Sequence, residues 1–315
     1  MTVDPSLAEL SDTLFSIAVA LYSVAVVAFS AQLAFGRRPV RQLVPAGAGT
    51  GGGADTAAPA APARTDRWGL VGLAVTAVGA VVHAGVLVTR GMAADRLPWG
   101  NMYEFATAVV LVGVVVYLVL AGRMPAVRDI GAFVLAPVVI ALVATGLFLY
   151  TETGPLVAAL RSSWLAVHVS TAILGFGIFF VSGIASVLYL LKLRSDARGA
   201  EAEGSFLSRL PGAVTLDRVA HRTAVFGFPI WTFAVIAGAI WAESAWGRYW
   251  GWDPKETWAF IAWVVYAGYL HARTTAGWRG RPAAWVNVVG LAVMVFNLLY
   301  VNMVSTGLHS YGGLD

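Results

Sequence analysis

Eight apolar runs of about twenty residues dominate this chain, and they leave it one architecture. A run of that length crosses the hydrocarbon core of a bilayer as a helix. In lipid every backbone N–H and C=O needs an internal partner, and a helix supplies it within itself. The runs fall near residues 14–35, 69–90, 104–121, 130–149, 164–192, 223–243, 256–272 and 283–304. The expected fold is therefore an all-α polytopic membrane protein of about eight transmembrane helices. The composition agrees, at 58% hydrophobic and 12% charged residues.

Sidedness follows from charge. Asp4, Glu9 and Asp12 precede the first run, where a cleaved signal peptide would be basic, so the first run reads as an anchor with its N-terminus outside. Sixteen of the 21 Lys and Arg residues then fall on inner loops and five, Arg90, Arg96, Arg161, Arg248 and Lys255, on outer ones. Basic residues concentrate on the cytoplasmic side, so both termini are expected to be extracytoplasmic, in a plasma membrane. The net charge of +4 is spread over loops and forms no single patch, which argues against a nucleic-acid partner.

Three regions are expected: an N-terminal transmembrane anchor over 1–44, a disordered Gly/Ala/Pro-rich cytoplasmic linker over 45–66, and a transmembrane domain over 67–315. The absence of cysteine excludes disulfides, a thiol nucleophile and Cys-ligated metal centres.

The outer loop 244–258 carries the chemistry. Trp246, Tyr249, Trp250, Trp252 and Trp258 crowd into thirteen residues with Gly and charge between them. Such density suggests a flat platform for a large planar ligand. His168 opens the fifth run and His309 follows the eighth, both level with the platform. Two neutral imidazoles can fill both axial positions of a haem iron. Either histidine alone is better explained as an interfacial imidazole bonded to backbone, and it is the two together with the loop that favour the ligand reading. Arg248 and Lys255 stand beside the platform, suited to propionate carboxylates or to ordinary interfacial snorkelling. Asp253, Pro254 and Glu256 have the spacing of a capping box that restarts a helix.

Two further histidines lie within spans, where an ionisable group is a functional hypothesis by default. His83 sits in the outer half of the second span and His271 towards the inner end of the seventh, so their depths disagree. His221 falls in the basic loop 194–222 and is read as solvated. Glu104 opens the third span, where a carboxylate suits a helix N-terminus. Gly175, Gly177, Ser182, Gly183 and Ser186 mark the fifth span as a close-packed helix.

The pattern Trp246-Gly-x-x-Trp250-x-Trp252-Asp253-x-x-Glu256 resembles the tryptophan-rich WWD signature of the haem-handling proteins of cytochrome c maturation. The chain resembles the CcsA/ResC branch, called CcsB in actinobacteria, over nearly its whole length; Asn101-Met-Tyr103-Glu104 and the closing Gly-Leu-His-Ser-Tyr fit it too. The resemblance implies haem transport and presentation within a System II cytochrome c synthase, or haem lyase. The implied partners are a ResB-type membrane protein and an apocytochrome c with a Cys-x-x-Cys-His motif. The implied cargo is haem b. By motif, His83 and His271 correspond to the family's transmembrane haem ligands. His168 and His309 correspond to its external ones, with Trp246, Trp250, Trp252 and Asp253 forming the platform. A small-molecule transporter would leave the tryptophan loop without a role. A b-type electron-transfer subunit would place both ligands of each haem on facing helices.

Overall fold

A computed structural model describes residues 3–35, 67–156, 160–199, 205–275, 278–305 and 307–309. The linker 45–66, together with Arg37, Arg38, Arg41, Arg64, Ser310 and Tyr311, lies outside the described residues. Eight α-helices stand where the eight runs predict them. They are α1 (Pro5–Phe35), α2 (Arg67–Ala93), α3 (Met102–Arg123), α4 (Gly131–Phe148), α5 (Ser163–Asp196), α6 (Ala213–Trp246), α7 (Pro254–Thr274) and α8 (Arg281–Met303). Short 3-10 turns occupy Pro125–Ile130 and Phe206–Arg209. No β-strand occurs among the described residues. Among the described residues, seven helices are long and apolar enough to cross a membrane; α7 is the most polar, interrupted by Lys255, Glu256, His271 and Arg273.

The helices run alternately up and down, so odd-numbered helices begin and even-numbered helices end at one end of the bundle. There the backbone N–H of Asp4 meets the Ala93 carbonyl at 3.0 Å, and His309 meets Asp253. This is the site end. The opposite end is tied by Arg273–Asp217, with N–O distances of 2.6 and 3.0 Å, and by Gln32–Asp129 at 2.8 Å. Twelve basic residues among the described ones lie toward that opposite end, and five toward the site end.

Two cores form the bundle. Tyr22, Phe29, Tyr117, Leu135 and Leu142 fill the first, among α1–α4. Phe179, Trp231, Tyr266 and Met294 fill the second, among α5–α8. The α5 helix joins them, packing on α3, α6 and α8. Its small residues make that possible. A Cβ on Gly177 would lie 2.5 Å from Val112 of α3, so the crossing needs glycine there. Ser182 and Ser186 instead accept from the buried amide of Asn287 on α8, at 2.9 and 2.8 Å.

Two helix starts depart from expectation, and the first is α1, which begins at Pro5, nine residues before the apolar run at 14. The α6 helix starts at Ala213, ten residues before the apolar run at 223, so His221 lies on a helix and not in a loop. The first three turns of α6 carry Asp217, Arg218 and Arg222, which end a hydropathy run without ending a helix. His221 is half-buried, its ring edge-on to Tyr269 of α7 at 6.2 Å.

Candidate functional site

The seat of His168 is built by one stripe of α6. His168 lies on the second turn of α5, and its Nδ1 is 2.8 Å from the Ala234 carbonyl. A carbonyl only accepts, so Nδ1 donates and Nε2 carries the lone pair. Four residues on, Gly238 leaves the space that the ring fills: a Cβ there would lie 2.6 Å from His168 Cε1. Three further on, Trp241 lies parallel to the imidazole, centroids 5.9 Å apart and planes inclined by 8°. Positions i, i+4 and i+7 share a helix face, so Ala234, Gly238 and Trp241 act on one ring.

His309 is seated by the loop that joins α6 to α7. The α6 helix ends on Gly247 in the left-handed conformation, which reverses the chain. Asp253 then caps α7, accepting from the Lys255 N–H at 2.9 Å, and Glu256 closes the capping box on the Asp253 N–H at 3.0 Å. The Asp253 carboxylate also accepts from the Leu308 N–H at 2.7 Å, and its Oδ1 is 2.9 Å from His309 Nδ1. Burial alone would raise this carboxyl. The bonds from His309, Lys255 and Leu308 outweigh it and hold the group down at about 2, so it is ionised and Nδ1 of His309 donates. Burial pushes the His309 imidazole down, against the pull of Asp253, which keeps a neutral ring with its lone pair on Nε2. A carboxylate behind Nδ1 fixes the tautomer and raises the basicity of Nε2, as in metal-binding histidines generally.

Both imidazoles border two clefts. One lies over α6 and α7 and is lined by Trp231, Trp246, Trp250 and Ala259. The other lies toward α3 and α8 and is lined by Trp99, Asn101, Phe105 and Asn302. His168, His309 and Lys255 belong to both.

The remaining platform residues separate by role. Trp246 meets His309 edge-on at 4.9 Å. Trp252 is 63% exposed with φ +58°, turned outward and edge-on to Trp250 at 5.7 Å. Arg248 is bound to Glu256, with both carboxylate oxygens at 3.3 Å, and lies over Trp246. Lys255 donates to the neutral side-chain oxygen of Asn302 and forms no ion pair among the described residues. The two cations expected beside the platform are therefore unequal: one is neutralised, the other is not.

His83 and His271 stand at different depths along their helices. At ~1.5 Å per residue, His83 lies about 15 Å from the site end of α2 and His271 about 25 Å from that of α7. His83 is fully buried, Nδ1 3.2 Å from the Tyr22 hydroxyl and Nε2 without a hydrogen-bond partner. His271 is exposed beside the Arg273–Asp217 pair.

Glu104 is more than a helix-terminal charge. It is fully buried and binds Arg90 at 3.0 Å and Arg96 at 2.7 and 2.9 Å. It also accepts from the Gly100 N–H at 2.6 Å, which fixes the loop that walls the second cleft. Sequence reasoning missed Trp241, Gly238, Asn302 and Arg90. Trp241 precedes the tryptophan-rich loop by five residues, so it reads as part of the span.

The family described as cytochrome C assembly protein matches residues 99–309, from the Trp99 loop to His309. The chain belongs to this family. Curated cytochrome C assembly relatives include the cytochrome c biogenesis protein CcsA of Gloeobacter violaceus, 34% identical over 296 residues, covering 78% of this chain and 87% of the relative. CcsA of Synechococcus elongatus is 36% identical over 285 residues, covering 77% and 87%. Among solved structures, the cytochrome c heme lyase CcmF superposes with a TM-score of 0.63 at 16% identity. That match covers 95% of this chain and 47% of the larger CcmF, so the two share a fold. Membership assigns this cytochrome C assembly protein a role in cytochrome c maturation, with apocytochrome c and haem as the molecules involved.

Proposed function

We propose that this protein carries haem b as a transported substrate and presents it at the extracytoplasmic face of the plasma membrane. In this reading it is the haem-handling subunit of a System II cytochrome c synthase, with a ResB-type partner. The observation that carries it is the pair His168 and His309. They are 141 residues apart in sequence, border the same clefts, and each has Nδ1 committed as a donor so that Nε2 carries the lone pair. That is the chemistry of two axial imidazoles.

The acceptor reaction needs little more from this chain. Each thiol of the apocytochrome Cys-x-x-Cys-His motif adds across a haem vinyl group. The sulfur bonds to the vinyl carbon next to the ring, the proton ends on the terminal carbon, and no electrons are gained or lost. The protein supplies ligation, orientation and shielding. Trp246 and Trp250 pack the porphyrin, and exposed Trp252 extends the platform outward. Lys255, the cation without a carboxylate, meets a propionate. The charge asymmetry between the two ends supports the outward orientation of the site. An earlier position on the transport path rests on His83, whose buried Nε2 has no hydrogen-bond partner.

The test is the absorption spectrum of detergent-purified protein, reduced with dithionite. Wild type should show a bis-imidazole b-type spectrum. His168→Ala/His309→Ala should weaken it and abolish cytochrome c maturation, while His221→Ala leaves both unchanged. Haem-free wild type, purified with its partner from haem-replete cells, would sink the reading.

A further inference from the structure

We infer that Trp241 is a positioning residue that holds the two imidazoles of His168 and His309 crossed rather than parallel. Trp241 is 2% exposed and borders the second cleft from within the bundle, beside His168 and His309, where a platform residue would face solvent. What it touches is the ligand pair. His168 stacks on the indole at 8°, and His309 stands against it at 61° with centroids 5.7 Å apart. Two rings referred to one plane are limited in how they face each other. The imidazole planes must be inclined by between 53° and 69° (61° minus and plus 8°). Trp246 braces the indole from a third side, edge-on at 4.7 Å.

The outer constraints agree with this role. The Ala234 carbonyl anchors Nδ1 of His168, and Asp253 anchors Nδ1 of His309. Each bond fixes one nitrogen and leaves the ring free to swing about it. The indole removes that swing for both rings at once. Offset stacking and edge-to-face contact are the favoured arrangements of flat rings, so the indole gives each imidazole a preferred orientation.

Ring orientation has a spectroscopic signature independent of activity. Ferric iron between parallel imidazoles gives a rhombic low-spin signal in electron paramagnetic resonance. Crossed imidazoles bring the two relevant iron d-orbitals close in energy and give a strongly anisotropic signal with one large g value. The inference rests on the haem reading above, and the experiment separates the two. Detergent-purified full-length protein is oxidised and its low-temperature spectrum recorded for wild type, Trp241→Phe and Trp241→Leu. Wild type should give the large-g signal. Trp241→Phe keeps a flat ring against His168 and should retain it. Trp241→Leu keeps bulk without a plane and should lose it to rhombic or high-spin species at unchanged haem content.

A rhombic wild-type signal overturns the crossed geometry, and that spectrum needs no variant to fold. A Trp241→Leu protein with the wild-type signal overturns the role of the indole. Either result leaves haem binding by His168 and His309 intact. Haem-free wild type instead removes the haem reading, and this inference with it.

Discussion

Asp253 Oδ1 lies 2.9 Å from His309 Nδ1, across 56 residues of sequence. The same carboxylate caps α7 and holds the Leu308 N–H, so one side chain starts a helix and docks the tail that follows the last one. The two duties are separable. Asn is as good an N-cap as Asp, but its carbonyl carries no charge to raise the basicity of the imidazole. Asp253→Asn should leave the helical circular dichroism unchanged and weaken haem binding about 10–100-fold, the range for outer partners of metal ligands. Asp253→Ala should add the loss of a cap, about 1 kcal/mol. Haem titration read by the low-spin absorption band checks both. Equal affinity in wild type and Asp253→Asn would refute the charge argument.

Glu104 is the counter-ion of two arginines, and its removal leaves Arg90 only the longer contact to Asp12 at 3.8 Å. Arg90 is 1% exposed and also donates to the Thr151 carbonyl. Breaking a buried pair by deleting one partner destabilises by about 3–5 kcal/mol. Glu104→Gln should therefore lower the thermal midpoint of the detergent-solubilised protein by several degrees or prevent accumulation. Arg96→Gln should be milder, because Glu104 keeps Arg90. The double variant Glu104→Gln/Arg90→Gln should recover part of the loss. If the double variant is less stable than the sum of the singles, the pair is not what holds this loop.

The helices were legible because lipid allows few alternatives: eight apolar runs became eight helices within a few residues at most ends. The exceptions, such as the early start of α6, arise because a helix continues past the bilayer where charge returns. The site was legible in part. Trp246, Trp250, His168 and His309 are brought together, since a tryptophan-rich loop and terminal histidines of matching topology leave few other arrangements. Trp241 and Gly238 were not legible, because an aromatic or a glycine inside a span looks like packing until the partner ring is placed. The difference between Arg248 and Lys255 was also hidden. It depends on which carboxylate a folded loop turns toward.

Gly238 tests the seat of His168 directly. A methyl group there would lie 2.6 Å from the imidazole and 2.8 Å from its Nδ1. The ring must move, and its bond to Ala234 goes with it. Gly238→Ala should cut haem occupancy severalfold while the protein still folds, since Ala is favoured over Gly in a helix by about 1 kcal/mol. Gly268 of α7 is the control, because nothing stands within 4 Å of its added Cβ. Gly268→Ala should keep full occupancy and be equally or more stable. Loss of haem in both variants would mean that the effect is not local to His168.

The last prediction concerns the two cations. Arg248 already has a carboxylate, and Glu256 would keep its bonds from the Gly251 and Asp253 N–H groups at 2.9 and 3.0 Å if Arg248 were removed. Lys255 meets only a neutral amide oxygen and borders both clefts beside the histidines. A half-buried lysine outside any ion pair gains more from an incoming carboxylate than a paired guanidinium does. A hydrogen bond to a charged group contributes about 1.5–3 kcal/mol, roughly 10- to 150-fold in affinity. Wild type should bind haem more tightly than its dimethyl ester, which has the same ring and iron but no carboxylate. Lys255→Gln should bind the two alike, by losing affinity for haem and not for the ester. Arg248→Gln should keep the preference, with any loss shared between the ligands. A Lys255→Gln protein that still prefers the free acid would move the propionate contact away from Lys255, and Arg248 would then be the residue to test.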